Sequence, residues 1–386
     1  MRNPIRPAVF ALCLALFAAC SARTAALSDF DKTVYTPSCA SGFEILGAEG
    51  CASTLLKVRD PWQGAEAVET ALFIARDGEM APAEFSGQVL RGPAARIVCM
   101  SSTHIALLDA LGATPAIVGV SGIDFVSNAY VAAHRDAIGD VGYDSNVNYE
   151  LLVALAPDLV LLYGVNGAST LEPKLRELGI PFLYIGEYLE ETPLGKAEWL
   201  VAVAETVGLR DEGEQRFHDI AARYEALAAR VREHLDAEAP DIVCRPRVWL
   251  NTPYQETWFI PAARSYQVRL IRDAGGDTFT APGDGNSSQP VDLETAYLWA
   301  SDADCWLHVG GCRSLAELTG RLPLFADIPA VTSGAVYDND LRTNARGGND
   351  YWESSVVHPD LVLRDLIRIL HPELVGEEFF YYRRLE

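Results

Sequence analysis

Short apolar runs alternate along this chain with segments whose apolar residues recur every three to four positions. Continuous apolar runs are typical of buried strands, and the periodic segments are typical of helices. We predict strands at 97–100, 117–120, 159–163, 182–185, 247–250 and 305–309. We predict helices at 105–111, 149–156, 171–178, 265–274, 293–300 and 356–370. This alternation predicts an α/β fold, with central parallel sheets flanked on both faces by helices.

A long segment without strand signals divides the alternation into two halves. Between residues 194 and 235, Ala, Leu, Glu and Arg dominate, and apolar residues keep helical spacing. We predict one long helix here, bent near Gly208, that joins two lobes. The predicted lobes are 95–190 and 241–386, and the bridging helix lies within 191–240.

The residues before the first lobe follow a different pattern. Residues 21–27 are small and polar, and residues 43–76 contain alternating segments separated by Gly and Pro. For 21–94 we predict a tether followed by a small β-rich extension.

The first twenty residues have the order of an export signal. Arg2 and Arg6 precede an apolar run at 8–19 that is too short to span a bilayer. The run ends in two alanines before Cys20 and resembles the lipobox of bacterial lipoproteins, although Phe17 is larger than usual there. We predict a signal peptide over 1–20 and a lipid on Cys20 that holds the protein at the periplasmic face of the membrane. An ordinary cleaved signal is the alternative.

The chain is strongly acidic, with 31 basic and 53 acidic residues and a formal net charge of −22. Nucleic acid binding needs a dense Lys and Arg surface, so this composition excludes a nucleic acid partner. The acidic composition also argues against adsorption to anionic lipid. The predicted contact with the membrane is therefore the lipid on Cys20 alone.

The cysteines give two candidate disulfides. No pair has CxxC spacing, which argues against zinc ribbons and thioredoxin-like chemistry. In an oxidising compartment the neighbouring pairs are Cys39 with Cys51 and Cys305 with Cys312. Buried free thiols are the alternative for both pairs.

Ordered sequence blocks in both halves resemble one family. The blocks are RIV at 96–98, SSTH at 101–104, GDVG at 139–142, NYE at 148–150, LAPDLV at 155–160, LIRDAGG at 270–276 and VDLE at 291–294. Together, over about residues 95–370, they resemble the periplasmic binding proteins for iron-siderophores and vitamin B12.

The resemblance implies two α/β lobes joined by one rigid helix, with a metal-chelate ligand held in the cleft between them. It implies an ABC permease with its cytoplasmic ATPase as partner. We also expect a monomer that needs no cofactor. Glu150 and Glu294 align with the acidic residue in each lobe by which the family grips permease arginines. Both also begin predicted helices, where the helix dipole alone favours a carboxylate.

The first lobe offers candidate ligand contacts where a strand turns into a helix. Ser102, Thr103 and His104 follow the first predicted strand, and hydroxyl and backbone N–H groups face outward at such turns. Capping of the helix by Ser or Thr, and a structural histidine, are the alternatives. Tyr143 and Asn146 are further candidates in this lobe.

The second lobe offers an aromatic segment and a basic loop. Tyr254, Trp258 and Tyr266 are candidates for stacking on a flat ligand, and Arg264 for pairing with its carboxylates; packing within the lobe is the alternative. The loop at 341–352 combines arginines, a Gly pair and two aromatics. Arginine suits an anionic chelate because its bidentate donors keep their charge when partly desolvated. The candidates in this loop are Arg342, Arg346, Tyr351 and Trp352. The alternative is a solvated loop whose arginines pair with nearby aspartates.

These observations favour a binding protein over an enzyme. No GxSxG elbow, P-loop or GxGxxG after a strand occurs, so a hydrolase is the weakest alternative. A site for a free metal ion would need convergent His, Asp or Glu side chains, and we predict none. A structural or adhesive surface lipoprotein is another alternative. Among ligands, the arginines favour a ferric siderophore, while the aromatics also suit cobalamin or haem.

Overall fold

The computed structural model describes residues 25–165, 167–237, 245–283 and 288–386. The predicted signal peptide and its lipidated Cys20 lie outside the described residues. Within the described ranges, no helix is long and apolar enough to cross a membrane.

The described residues form the following elements in chain order. The strands are β1 (Lys32–Tyr35), β2 (Phe43–Gly47), β3 (Thr54–Arg59), β4 (Glu69–Ala75), β5 (Gln88–Arg91), β6 (Ile97–Cys99), β7 (Ile117–Val120), β8 (Gly139–Asp140), β9 (Gly142–Tyr143), β10 (Asn146–Val147), β11 (Leu159–Leu162), β12 (Phe182–Tyr184), β13 (Arg247–Leu250), β14 (Trp258–Ile260), β15 (Asp277–Thr278), β16 (Gln289–Val291), β17 (Cys305–Leu307), β18 (Val336–Asp338) and β19 (Arg383–Arg384). The helices are α1 (Ser102–Ala110), α2 (Ala129–Ala133), α3 (Tyr149–Ala154), α4 (Glu172–Leu178), α5 (Pro193–Val207), α6 (Arg210–Ala237), α7 (Tyr266–Asp273), α8 (Leu293–Ala300), α9 (Leu315–Arg321), α10 (Pro329–Thr332), α11 (Tyr351–Ser354) and α12 (Pro359–Leu370).

Each lobe is built on one five-stranded sheet. The N-terminal sheet has the order β12-β11-β6-β7-β8, and all its pairings are parallel. The C-terminal sheet has the order β15-β13-β17-β18-β19, with only β19 antiparallel. The central strands β6, β11 and β17 are buried along their whole length, as strands covered on both faces must be. The predicted α/β fold with two lobes is confirmed.

The segment between the lobes forms two helices rather than the single bent helix predicted. Gly208 adopts a left-handed conformation with φ of 74° and ends α5, and α6 starts two residues later. Glycine adopts this conformation without a Cβ penalty, so it ends a helix more readily than it bends one. The 28 residues of α6 then link the lobes, and a buried stripe of Phe217, Ile220, Tyr224, Ala228, Val231 and Leu235 faces the core.

The N-terminal extension is a five-stranded sheet with the order β1-β2-β3-β4-β5. One face, which includes Phe43 and Leu56, joins the core of the first lobe. The other face, which includes Leu55 and Phe73, packs under Phe30 in a smaller cluster. Because one core continues from the lobe into this sheet, the extension is an integral part of the N-terminal half.

Three buried carboxylates hold this sheet to the lobe. Glu198 on α5 accepts hydrogen bonds from the Tyr35 hydroxyl at 2.7 Å and from the backbone N–H groups of Ser38, Cys39 and Ala40 at 2.6–2.7 Å. Burial, with Glu198 adding to it, raises the pKa of Tyr35 well above its usual range. The hydroxyl therefore remains a donor at any physiological pH.

Glu190, just before α5, and Glu205, near its end, also attach the sheet of the extension to the lobe. Glu190 accepts from the backbone N–H of Gly42 at 3.0 Å and from the indole N–H of Trp199 at 2.9 Å. Glu205 pairs with Arg76 at 2.6 Å across the sheet boundary. A buried charge is tolerated only when it is paired or fully hydrogen-bonded, and these three satisfy that condition.

The two predicted disulfides are wrong, because all four cysteines are free thiols. Cys39 packs against the main core, whereas Cys51 packs against the small cluster on the other face of the extension. Likewise Cys305 belongs to the main core and Cys312 to the second core of the C-terminal lobe. The two members of each pair therefore pack into different cores, which does not bring their sulfurs together for a bond.

Candidate functional site

The strands of the C-terminal lobe end in a polar hollow. Asn251 follows β13, His308 follows β17, and Asp338 ends β18, because parallel strands place their carboxyl ends at one edge. With Trp352 and the loop around Gly347, these residues line a concave space of about 490 Å³. Asn251 and His308 both have positive φ, 68° and 62°. Such conformations in non-glycine residues cost energy and cluster at functional sites.

His308 is a neutral imidazole in the wall of this hollow. One ring nitrogen, Nε2, lies 2.7 Å from the Tyr382 hydroxyl. Burial lowers the pKa of His308 to about 4, so the ring carries no charge at neutral pH. Burial and the neighbouring Asp340 raise the pKa of Asp338, which accepts the backbone N–H of Gly311 at 2.6 Å.

The N-terminal lobe faces the hollow with the loop that follows β7. Asp124 forms an ion pair with Arg346 of the other lobe, and the side-chain amide of Asn344 donates to the carbonyl of Val126 at 3.0 Å. The exposed ring of Phe125 stands beside Gly347, 3.8 Å from where a Cβ of that glycine would lie. These contacts bring the two lobes together along one rim of the cleft.

Glu187 and Lys196 bring two opposite charges close together in the N-terminal half, beside the C-terminal lobe. Glu187 is only 4% exposed, and Lys196 on α5 supplies a positive charge near its carboxylate. The ammonium group of Lys196 also lies 4.5 Å from the centre of the Tyr266 ring in the other lobe. Burial raises the pKa of Glu187 and lowers that of Lys196, and the attraction between the two opposes both shifts.

A second rim is formed jointly by both lobes and the N-terminal extension. Arg264 of the C-terminal lobe pairs with Glu191 at 2.8 Å. The extension reaches the same place through Trp62, which packs edge-on against Tyr184 at 5.3 Å between ring centres, and through Gln63. These residues line a concave space of about 850 Å³. The extension is therefore one wall of the region where the lobes meet.

Several predicted ligand contacts are buried in the described structure. His104 is fully buried, and burial lowers its pKa to about 3. Trp258 lies in the core between Trp249, Trp306 and Phe325, with its indole N–H donating to the carbonyl of Leu250 at 2.8 Å. Tyr351 is only 2% exposed. The prediction that these three side chains contact ligand is wrong for this conformation, because the core encloses them.

The other predicted contacts reach the surface of the protein. Tyr143 and Trp352 are each 51% exposed, and Tyr143 packs beside Gly122 at the start of the Asp124 loop. Ser102, Thr103, Asn146, Tyr254, Arg264, Tyr266 and Arg346 are also at least partly exposed. Arg342 is more constrained than predicted: it pairs with Asp350 at 2.6 Å and covers the ring of Phe380 at 4.4 Å. Their contact with ligand stays a prediction.

Glu150 and Glu294 are exposed at the second positions of α3 and α8. Asn148 and Asp292, rather than these glutamates, cap the two helices with side-chain oxygens. The glutamates therefore have no capping role, and both carboxylates are accessible to a partner. Their places in the first turns also fit the helix-dipole alternative, so docking stays a prediction.

Sequence reasoning missed the residues that follow the C-terminal strands. His308 was assigned to the interior of a strand over 305–309, but the strand ends at Leu307, where the backbone turns to positive φ. Asn251 and Asp338 were not singled out either. The position directly after a buried parallel strand was the available signal, since ligands of open α/β sheets bind there.

A buried carboxylate between the lobes makes stability depend on pH. Glu353 on α11 accepts the backbone N–H of Ser127 at 2.8 Å. Burial raises the pKa of Glu353 from 4.5 to about 7, with Asp350 adding to the shift. The folded protein therefore holds this proton more tightly than the unfolded chain. The resulting stability is complete below pH 4.5 and is lost as the pH rises through 7.

We expect Glu353→Gln to remove this dependence. Relative to the wild type, the variant should gain on the order of 2 kcal/mol in free energy of unfolding between pH 5 and pH 8. Urea unfolding at a series of pH values measures this difference. The exposed Glu377→Gln should show no such trend, and a flat difference for Glu353→Gln would contradict the assigned shift.

The comparisons with known proteins agree with this architecture. Residues 97–343 match the profile of the periplasmic binding protein family, and the chain belongs to that family. One relative is an uncharacterized lipoprotein of Methanocaldococcus jannaschii, 27% identical over 298 residues that cover 74% of this chain and 67% of the relative.

Solved structures of binding proteins share the fold. A periplasmic heme binding protein from Pseudomonas aeruginosa superposes with a TM-score of 0.58 at 16% identity, covering 76% of this chain and 98% of that one. A protein of an ABC-type Fe3+-hydroxamate transport system from Saccharomonospora viridis superposes with a TM-score of 0.54 at 19% identity. The match covers 72% of this chain and 94% of that one. A periplasmic vitamin B12 binding protein of Vibrio cholerae superposes with a TM-score of 0.51 at 15% identity. The match covers 74% of this chain and 99% of that one. The chain is therefore a solute-binding protein by family.

Proposed function

We propose that this protein captures a metal chelate, with a ferric siderophore as the favoured ligand, and delivers it to the permease of an ABC importer. The observation that carries the proposal is the cleft itself. Trp352 lines the polar hollow and Phe125 of the other lobe stands beside Gly347 in the wall of that hollow. Both side chains, like that of Tyr143 beside Gly122, are about half exposed. Exposed aromatics at a concave site suit a rigid ligand with flat apolar faces.

The charges around the cleft support an anionic chelate. Arg313 lines the hollow, and Arg264 and Arg346 stand at the two rims. Both rim arginines are paired with exposed carboxylates, so an anionic ligand would compete for guanidinium groups that are already positioned. Cobalamin and haem remain alternatives because the aromatic side chains serve a corrin or porphyrin equally well.

A binding screen tests the proposal directly. We would titrate the purified protein with ferric hydroxamate and ferric catecholate siderophores, cobalamin and haem, following tryptophan fluorescence and thermal stability. Saturable binding of a ferric siderophore is the expected result. Preferential binding of cobalamin or haem would correct the ligand, and no binding of any of them would favour a structural or adhesive surface lipoprotein.

Trp352→Ala should weaken binding of the ligand found in that screen about five-fold to ten-fold, because an exposed indole in the cleft supplies contact area. Isothermal titration calorimetry measures the change. Phe259→Ala removes another exposed aromatic of the same lobe outside the hollow and is the matched control. Equal affinities for wild type and Trp352→Ala would place the ligand elsewhere.

We further propose that Glu150 and Glu294 dock the protein onto the permease, one carboxylate from each lobe. Glu150→Lys and Glu294→Lys should leave ligand affinity unchanged and reduce uptake in reconstituted transporter by about ten-fold or more, since a like charge now faces each permease arginine. Glu177→Lys, an exposed reversal on α4, is the control. Undiminished uptake with both reversals would refute this role.

The membrane anchor belongs to the same proposal. A lipid on Cys20 would keep the binding protein at the membrane that holds its permease, and the relative in Methanocaldococcus jannaschii is named a lipoprotein. Mass spectrometry of the protein from a membrane fraction would show the lipid mass on the N-terminal peptide. Cys20→Ala should then leave a protein without that mass.

A further inference from the structure

Two histidines and a glutamate converge where the bridging helix meets the last helix of the C-terminal lobe. His234 lies in the last turn of α6, His371 directly follows α12, and Glu373 comes two residues later. The Nε2 atom of His234 lies 3.1 Å from a carboxylate oxygen of Glu373, and the Nδ1 atom of His371 lies 3.8 Å from the same oxygen. One ligand atom from each of the three side chains lies within 4.8 Å of the other two.

The packing around His371 fixes its ring. A Cβ on Gly275 would lie 2.5 Å from the Nε2 atom of His371 and 2.9 Å from a methyl group of Val231, so the imidazole occupies space that only glycine leaves free. The residue is 8% exposed. With Nε2 held against Gly275, the Nδ1 edge of the ring faces Glu373 and His234.

We propose that His234, His371 and Glu373 bind one divalent transition-metal ion of the zinc class. Two imidazole nitrogens and one carboxylate oxygen form a donor set that zinc accepts, whereas Mg2+ and Ca2+ prefer oxygen ligands alone. Zn–N bonds of about 2.1 Å place tetrahedral ligands roughly 3.4 Å apart. A small rotation of the exposed Glu373 and the partly exposed His234 toward the fixed His371 reaches that spacing.

The geometry leaves the fourth position to water. The Glu373 side chain is 56% exposed, so solvent reaches the metal from that side. The ion would join the end of α6 to the C-terminal lobe, away from the Trp352 hollow. This site does not depend on the identity of the ligand in the cleft, and its failure would leave the proposed transport function untouched.

Zinc titration of the purified, reduced protein by calorimetry tests the site. We expect one equivalent of Zn2+ to bind and the affinity to fall about ten-fold or more in His234→Ala and in Glu373→Gln. His218→Ala, an exposed histidine on the same helix, is the matched control and should bind as the wild type does. Because His371 is packed into the lobe, the two more exposed positions keep the test free of folding defects, which circular dichroism without metal would verify.

Co2+ provides a second readout that separates this site from the thiols. Bound at the proposed site, Co2+ should give visible absorption bands of nitrogen and oxygen ligation that disappear in His234→Ala. A thiolate charge-transfer band would assign the metal to cysteines and overturn the proposal. It would also be overturned by wild-type protein that binds no zinc, or by His234→Ala and Glu373→Gln variants that bind it unchanged.

Discussion

Replacing Glu198 by alanine should lower the free energy of unfolding by about 3 kcal/mol, since it removes one buried acceptor from several partly buried donors, each of which costs up to about 1–3 kcal/mol when left without a partner. The carboxylate accepts from the hydroxyls of Tyr35 and Ser38 and from three consecutive backbone N–H groups. Alanine leaves all of these donors without an acceptor, and β1 and the segment after it lose their attachment to α5. Urea unfolding and limited proteolysis between β1 and β2 measure the two consequences.

A matched control separates this effect from loss of a glutamate in general. Glu225→Ala removes an exposed carboxylate from the middle of α6 and should change stability by no more than about 0.5 kcal/mol. If Glu198→Ala were as stable and as resistant to proteolysis as Glu225→Ala, the carboxylate would not hold the extension in place.

The second large effect is expected where the lobes touch. Gly348→Ala should weaken ligand binding about ten-fold to a hundred-fold, because misplacing contact groups by an ångström is enough for a change of that order. A Cβ at this position would collide with the backbone carbonyl of Phe125 in the other lobe and lie 2.5 Å from the Asn344 amide nitrogen. The backbone of Phe125 has no free rotation with which to yield, so the lobes must separate.

Two measurements test whether the lobes separate in this variant. Calorimetry with the ligand identified by screening gives the affinity, and small-angle X-ray scattering of the free protein should show a larger radius of gyration. Gly320→Ala on α9 is the control, since a Cβ there meets no atom within 4 Å. Unchanged affinity and unchanged scattering for Gly348→Ala would show that this contact does not set the width of the cleft.

The lobes could be predicted from sequence because their central strands are apolar at every position. Strands such as β11 have no solvent face, so every one of their consecutive residues is apolar and the run is visible in the sequence. The short edge strands could not be predicted. β8, β15 and β19 have two residues each and include polar side chains, so their pairing depends on neighbours distant in sequence.

The candidate site was only partly predictable for a similar reason. The sequence singled out the basic loop, but it gave no sign that the partner of Arg346 is Asp124, more than two hundred residues away. In the aromatic segment, by contrast, the predicted ligand contact Trp258 is buried. Trp258 and Trp352 both lie in turn-rich sequence, yet three distant aromatic rings enclose Trp258 and leave Trp352 exposed. Local composition does not distinguish these two environments.

The two rims of the cleft differ from the attachment of the extension in how they respond to dissolved salt. Asp124 with Arg346 and Glu191 with Arg264 are exposed ion pairs, and dissolved salt weakens such pairs. The Glu198 carboxylate that accepts the hydrogen bonds of the extension is fully buried, so ions reach it poorly. Rising ionic strength should therefore loosen the rims while the extension stays in place. Salt concentration should then change the rates at which solute binds and is released without changing the stability of the fold.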